Sequence, residues 1–250
     1  MNIAVVLAAG LGSRMNYQRI GKAKLPKSLL SVAGVPILGR LIDNLLDNNI
    51  ERIFVVVGYK KEKIIKFIVD NEKYSSFCEI FESKNFRNGP IFTFKDFINQ
   101  IKLDKSFLLC PADLIIDKNA IKKMITEYEN KKIDLLIAID KSEEKKGTTV
   151  KLKSIKNNNF QNLIKEFNFN SNKAEEDQNL IPIIISSSKI HKYIDPAIKS
   201  NHTRIIETMN LYLKDNNRIN FIDLSDYYWF DVDNVKKLKE ADQFLQNKME

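Results

Sequence analysis

Short aliphatic runs alternate with longer amphipathic stretches through the first half of the chain. The run at 3–8 is continuous and ends at Gly10, which is the pattern of a buried strand. Ile37, Leu38, Leu41, Ile42, Leu45 and Leu46 recur at helical spacing behind Pro36, a residue tolerated at a helix start, and predict a helix over 36–46. The stretch 53–57, with three consecutive valines, reads as a second strand covered on both faces. A basic helix follows at 61–70, with Ile64, Ile65, Phe67 and Ile68 inward, then a third strand at 77–81. A helix at 92–101, a strand at 107–109, a helix at 119–128 and a strand at 133–139 continue the alternation. Strands and helices taking turns predict an α/β, Rossmann-like, mostly parallel sheet with helices on both faces.

The second half is less regular. Segments 148–155, 163–169 and 181–185 read as strands with no helix between them, and the polar stretch 170–178 as a loop or hairpin end. A helix at 203–213, a strand at 219–222 and an amphipathic helix at 235–246 close the chain. There is no internal repeat and no linker rich in Gly, Pro or Ser. One domain over 1–250 is therefore expected, with a small antiparallel lobe inserted at about 145–182.

Composition narrows the class. With 44% hydrophobic and 29% charged residues in 250, disorder and collagen-like repeats are excluded. Forty Lys and Arg against thirty-two Asp and Glu give +8, which favours anionic partners. A protein binding RNA or a membrane surface would interleave aromatic and basic residues on one face, and no such stripe is present, so neither partner is expected. Cys78 and Cys110 cannot build a disulfide framework or a four-thiolate zinc site. No apolar run approaches the roughly 20 residues that span a bilayer. The first aliphatic run lacks the basic start of a signal peptide, and a cytoplasmic location is expected.

Three segments carry candidate chemistry. The first is Leu7-Ala8-Ala9-Gly10-Leu11-Gly12-Ser13-Arg14-Met15, directly after the first strand. Small residues there let backbone N–H groups approach an anion. Met15 stands where a dinucleotide loop needs a third glycine, and Asn16 and Ala23 fail a Walker loop. What is left is a glycine loop with its own cation, Arg14, followed by Lys22, Lys24, Pro26 and Lys27. At the carboxyl end of the first strand, where open α/β sheets bind ligands, it reads as a phosphate site.

The second segment places Asp113 just past a buried strand, where a carboxylate can hold Mg²⁺ against phosphates or cap a helix. Asp117 suits the cap better. The third is Tyr227-Tyr-Trp-Phe-Asp231-Val-Asp233-Asn234, whose two acids would point the same way in extended backbone, with Asp233 or Asn234 free to cap the last helix. Arg87-Asn88-Gly89-Pro90 is a turn by composition whose amides can also face a base. His191 and His202 are isolated and read as packing or surface residues, the charge-rich 141–156 as a solvated face, and Ser186–Ser188 as a helix start.

In this order the segments resemble the nucleotidyltransferases that join a nucleoside monophosphate to a phosphorylated small molecule, the superfamily of sugar-phosphate, phosphocholine, inositol-phosphate and molybdenum-cofactor enzymes. The motif from Leu7 to Met15 and the later Pro26-Lys27 carry the resemblance. Val55-Val-Val-Gly-Tyr59-Lys is similar to the phosphocholine-type branch, and Trp229-Phe-Asp-Val-Asp233 to the inositol-phosphate branch. Phe107–Ile116 and Leu180–Ser188 are loosely similar to the cobinamide-phosphate guanylyltransferases.

The resemblance implies that Leu7, Ala8, Ala9, Gly10, Gly12, Ser13, Asn88, Gly89 and Ala112 line the nucleotide. It implies that Arg14 and Lys27 neutralise the phosphates, and that Asp113, Asp231 and Asp233 hold Mg²⁺. Lys165 would meet the acceptor phosphate. Beside the resemblance, Tyr59 and the aromatic cluster at 227–230 read either as core or as an enclosure for the acceptor, a cationic headgroup included. The partners the resemblance implies are a nucleoside triphosphate, CTP first, and a phosphorylated or phosphonylated small molecule, with a homodimer as one assembly. The acceptor oxygen is already an anion, so the transfer needs no general base. Two departures touch the acceptor side: the extra basic residues of 17–25, and Ile181-Pro-Ile-Ile, which lacks the Asp-Thr-Gly common before that strand.

Overall fold

The computed structural model describes residues 1–15, 25–131, 133–142, 148–153, 163–169 and 177–248. Lys22 and Lys24, most of 170–178 and part of 141–156 lie outside these residues. The strands are β1 (Ile3–Ala8), β2 (Ser31–Val32), β3 (Val35–Pro36), β4 (Arg52–Val57), β5 (Cys78–Glu82), β6 (Phe107–Pro111), β7 (Leu114–Ile116), β8 (Leu135–Asp140), β9 (Thr149–Leu152), β10 (Ile164–Asn168), β11 (Gln178–Ser186), β12 (Asn220–Asp223) and β13 (Trp229–Asp231). The α-helices are α1 (Ile37–Leu46), α2 (Lys61–Val69), α3 (Glu72–Ser75), α4 (Pro90–Gln100), α5 (Lys118–Lys131), α6 (Ile194–Lys199), α7 (Thr208–Lys214) and α8 (Val235–Asn247).

A nine-stranded sheet is the frame. Its main path runs β10-β9-β11-β6-β1-β4-β5, and β8 pairs with both β11 and β12. Strand β1 is parallel to β4 on one side and to β6 on the other, and β5 extends the parallel run beyond β4. The chain steps outward from β1 through β4 to β5, then crosses back to place β6 on the opposite flank of β1. This reversal makes the carboxyl ends of β1 and β6 the place where such sheets open a crevice. The antiparallel strands expected near 145–182 occur as β9, β10 and β11, and they prolong the central sheet.

Alternation along the strands sorts the core into two layers. Ala4, Val6, Ile53, Val55 and Val57 face α1, α2 and α5, meeting Leu38, Leu41, Ile64, Ile68, Ile121 and Met124. Val5, Phe54 and Val56 face the other way, onto Phe94 and Phe97 of α4, Ile194 of α6 and Met209 of α7. Burying each such side chain contributes roughly 1.5–3 kcal/mol against the ordering entropy. A third, smaller cluster gathers Met15, Leu30, Val32, Ile37, Ile115, Val232, Ala241 and Leu245 under α8.

The long elements match expectation to within a residue or three. Short pieces depart more. The expected helix at 203–213 begins as a 3₁₀ turn at Ile205–Glu207, and the predicted Ser186–Ser188 helix start becomes a 3₁₀ segment at Ser188–Tyr193. The hairpin β2–β3, α3, α6 and the two-stranded ribbon β7–β13 carry too few residues for a periodic signal.

Candidate active site

The glycine loop leaves the carboxyl end of β1 between its two parallel neighbours. Ala112 N–H donates to the Leu7 carbonyl (3.0 Å) and Tyr59 N–H to that of Ala9 (3.2 Å), so strands β6 and β4 stay pinned to β1 past its last residue. A Cβ placed on Gly10 would meet nothing within 4 Å among the described residues, so these leave that face of the loop open to an approaching group. Gly12 has φ +63°, a left-handed value that favours glycine, and its carbonyl accepts from Met15 N–H at 2.9 Å. Met15 is 3% exposed and buries itself beside Val232. That anchor ends the loop next to the carboxyl-terminal acids, leaving Arg14 outside.

Lys27 stands on a 3₁₀ turn, Lys27–Leu29, held down by the buried Ser28 and Leu29. Its ammonium forms an ion pair with Asp113, and each side chain is only 17% exposed. Asp113 sits between β6 and β7. In the ribbon, Leu114 of β7 lies opposite Asp231 of β13, and Val232 N–H donates to the Asp113 carbonyl at 3.2 Å. Two acids 118 positions apart in the chain therefore share one end of the ribbon. Arg14 reaches Asp233 at 2.8 Å.

Arg14, Lys27, Asp113, Asp231 and Asp233 thus meet at the edge where the fold opens. The alternating charges are mutual: the Asp231 side chain stays reachable by water, but the surrounding protein, and then the Asp113 charge, push its carboxyl up to about 6 against the pull of Lys27. Asp233 departs from the extended reading. Its N–H donates to the Asp231 carbonyl at 2.9 Å, closing a tight turn about Val232, so the two carboxylates are not aligned by strand geometry. Among the described residues no three His, Cys, Asp or Glu gather as a metal cluster. Asp117 accepts from Asn119 N–H (2.9 Å) at the start of α5, and Asn234 accepts from Lys237 N–H (3.0 Å) at the start of α8. The capping roles fall to these two.

Asn88 is exposed in the 3₁₀ turn Phe86–Asn88, after the neighbouring strand β5. Gly89 has φ +124°, and a Cβ there would lie 2.7 Å from the Thr203 carbonyl, which gives this glycine a packing reason of its own. Lys165 is exposed at a bulge in β10, where pairing with β9 shifts register between Ile164 and Glu166. No described hydrogen bond or ion pair joins it to the acids. Tyr59 follows the carboxyl end of β4, with the Lys60 ammonium 5.0 Å from its ring centre. Tyr227 and Tyr228 carry Lys123 and Lys248 in the same way, and Tyr228 and Phe230 pack on Phe244 of α8. These faces are already covered by the protein's own cations and core, which disfavours an aromatic cage for a cationic headgroup. Sequence reasoning passed over Asp140, whose carboxylate accepts from the Trp229 indole N–H at 3.1 Å. Its only signal was a charged residue closing an otherwise apolar strand.

Residues 4–206 match the MobA-like NTP transferase domain, and the chain belongs to that family. The ribbon acids Asp231 and Asp233 lie beyond the matched span. The bifunctional protein GlmU of Methanococcus maripaludis strain C5 is 34% identical over 128 residues, covering 51% of this chain and 28% of that protein. The 2-aminoethylphosphonate cytidylyltransferase of Lancefieldella rimae is 33% identical over 118 residues, covering 47% of this chain and 45% of that protein. The UTP–glucose-1-phosphate uridylyltransferase AglF of Haloferax volcanii is 36% identical over 118 residues, 46% and 45% of the two chains. The chain therefore matches less than half the length of these curated relatives.

The fold is shared end to end with solved structures. A UDP-glucose pyrophosphorylase complexed with UDP-glucose superposes with a TM-score of 0.81 at 17% identity, covering 99% of both chains. The inositol-1-phosphate CTP transferase from T. maritima superposes at 0.76 with 16% identity, covering 97% and 95%. Among the described residues no helix is long and apolar enough to cross a membrane.

Proposed function

We propose that the protein transfers a nucleoside monophosphate, CMP from CTP first, onto the phosphate or phosphonate of a small acceptor and releases pyrophosphate. The observation that carries this reading is the meeting of two cations and three carboxylates at the carboxyl edge of β1 and β6, beside an open glycine loop. The cytidylyl assignment is supported by the similarity to the Lancefieldella rimae relative. A uridylyl donor is the second reading, favoured by the similarity to AglF.

The donor set fits Mg²⁺. Asp113 and Asp231 are adjacent hard oxygen ligands, and Mg²⁺ binds through one or two carboxylates with water and substrate phosphates filling its octahedron. Bound there, it would neutralise charge on the triphosphate. The chain's own residues do the rest. Amides of the Gly10–Ser13 loop and the Arg14 guanidinium bind the triphosphate, and Lys27, once released from Asp113, holds the oxygens of the attacked phosphorus. Lys165 from β10 holds the acceptor phosphate, and Tyr59 borders its site. The acceptor oxygen attacks as an anion, so the work is positioning and charge neutralisation.

The test is a screen of four nucleoside triphosphates against phosphorylated and phosphonylated acceptors with Mg²⁺, reading phosphate after pyrophosphatase. One pair should release pyrophosphate, stop with chelator, and fail in Asp113→Ala. Equal release by wild type and Asp113→Ala with every pair refutes the catalytic assignment. Nucleotide binding without turnover for any pair would point to a non-catalytic binder.

A further inference from the structure

Asp140 closes strand β8 at the same edge of the sheet as the candidate site, and it is 8% exposed. One carboxylate oxygen accepts from the Trp229 indole N–H (3.1 Å) and the Ser142 hydroxyl (3.0 Å), and the other accepts from Ser142 N–H at 2.8 Å. Every one of these donors is neutral. The neighbouring Lys141 turns instead to Asp223, at 2.8 Å. Burying a carboxylate among neutral donors is costly, but both of its oxygens accept here, whereas an amide in its place would accept through one oxygen only. What the charge adds is a stronger bond to the indole.

Trp229 is the first residue of β13, and Asp231 is the last. In a strand these two side chains leave the same face, while Tyr228 and Phe230 leave the other and pack beneath α8. The ribbon is thus held to α8 by its apolar face. On the face that carries Asp231, the indole–Asp140 bond ties it to the main sheet. Ribbon register decides where Asp231 stands relative to Asp113, because Asp231 lies opposite Leu114 and the next amide bonds to Asp113.

We infer that Asp140 is a positioning residue for the ribbon, holding Trp229 so that Asp231 and Asp113 present their carboxylates to one divalent cation. The inference rests on the nucleotidyltransferase reading for its purpose. The metal measurement that tests it does not require turnover.

Trp229 is the only tryptophan in the chain, so its fluorescence reports on this contact. Mn²⁺ titrated into the full chain should quench Trp229, two residues from Asp231. In Asp140→Ala the half-quenching concentration should rise about 10-fold, the lower end of what loss of an outer-shell partner costs. Asp140→Asn, which keeps an acceptor for the indole, should recover most of that loss. Trp229→Phe, followed by water-proton relaxation, should match Asp140→Ala. The double variant should be no worse than either single one, since both remove one bond. Asp223→Asn, at the same sheet edge, should leave Mn²⁺ affinity unchanged, and thermal melts confirm that each variant folds.

Equal Mn²⁺ affinity in wild type and Asp140→Ala, or losses that multiply in the double variant, would overturn the positioning role while leaving the carboxylate site standing. Absence of Mn²⁺ binding to wild type would overturn both.

Discussion

Lys27 and Asp113 form an ion pair, each about five-sixths buried, so a cation suited to phosphate and a carboxylate suited to metal neutralise one another. Metal alone must compete with Lys27 for Asp113, and triphosphate alone with Asp113 for Lys27, so the two together separate the pair at least cost, since neither charge is then left buried without a partner. Lys27→Met is therefore expected to split two measurements. Pyrophosphate release should fall by about 10²–10³, the usual cost of removing one preorganised charge from a transition state. Mn²⁺ affinity in the absence of nucleotide should rise, because Asp113 is freed. Calorimetric titration alongside steady-state assays checks both.

Asp231 supplies a pH prediction. The surrounding protein and the Asp113 charge raise its carboxyl to about 6. An acid with a raised folded pKa binds its proton more tightly when folded, so metal-free protein loses stability as pH rises from about 4 through about 6. Asp231→Asn removes that penalty. Its melting temperature without metal should exceed wild type at pH 7.5, and the advantage should shrink through pH 6 and vanish by about pH 4, while transfer activity is lost. An advantage of equal size at pH 7.5 and about pH 4 would contradict the assignment.

His191 works in the other direction. Its ring packs against Phe94 (5.8 Å) and Phe107 (5.9 Å), Nε2 is buried without a hydrogen-bond partner among the described residues, and burial lowers its pKa. The neutral ring's contribution is fully present above about pH 6.5, the unfolded value, and is lost as pH falls through the lower folded one. His191→Leu should resist acid unfolding better than wild type below pH 6 and differ little at pH 8, as denaturant midpoints across that range would show.

Gly58 packs where β4 ends beside the glycine loop. A Cβ there would lie 2.6 Å from the Phe86 ring and 2.9 Å from the Ala9 Cβ, so a neighbour has to shift to admit it. Gly58→Ala should destabilise by roughly 1–3 kcal/mol, the cost of overpacking. Because Ala9 precedes the loop and Phe86 precedes Asn88, nucleotide affinity should weaken as well. Urea unfolding and equilibrium dialysis of nucleotide measure the two effects.

Long periodic segments were legible from the residues alone. The run at β1, the triple valine of β4 and the faces of α1 and α5 announce a two-sided sheet because period and burial are local properties of the chain. Leu7–Met15 and Lys27 were legible for a related reason: a glycine turn with attached cations must be contiguous to do its chemistry. Asp113 and Asp231 could be named singly, but their adjacency could not be read, since it depends on a two-stranded ribbon with only three residues in each strand.

The same limit hid Asp140, whose partner lies 89 positions away, and the turn at Val232 that sets Asp233 apart from Asp231. Local pattern determined which elements form and which residues carry charge at strand ends. Only the folded chain decided which of those charges meet, because hydrogen-bond register and close packing join segments that no periodicity connects.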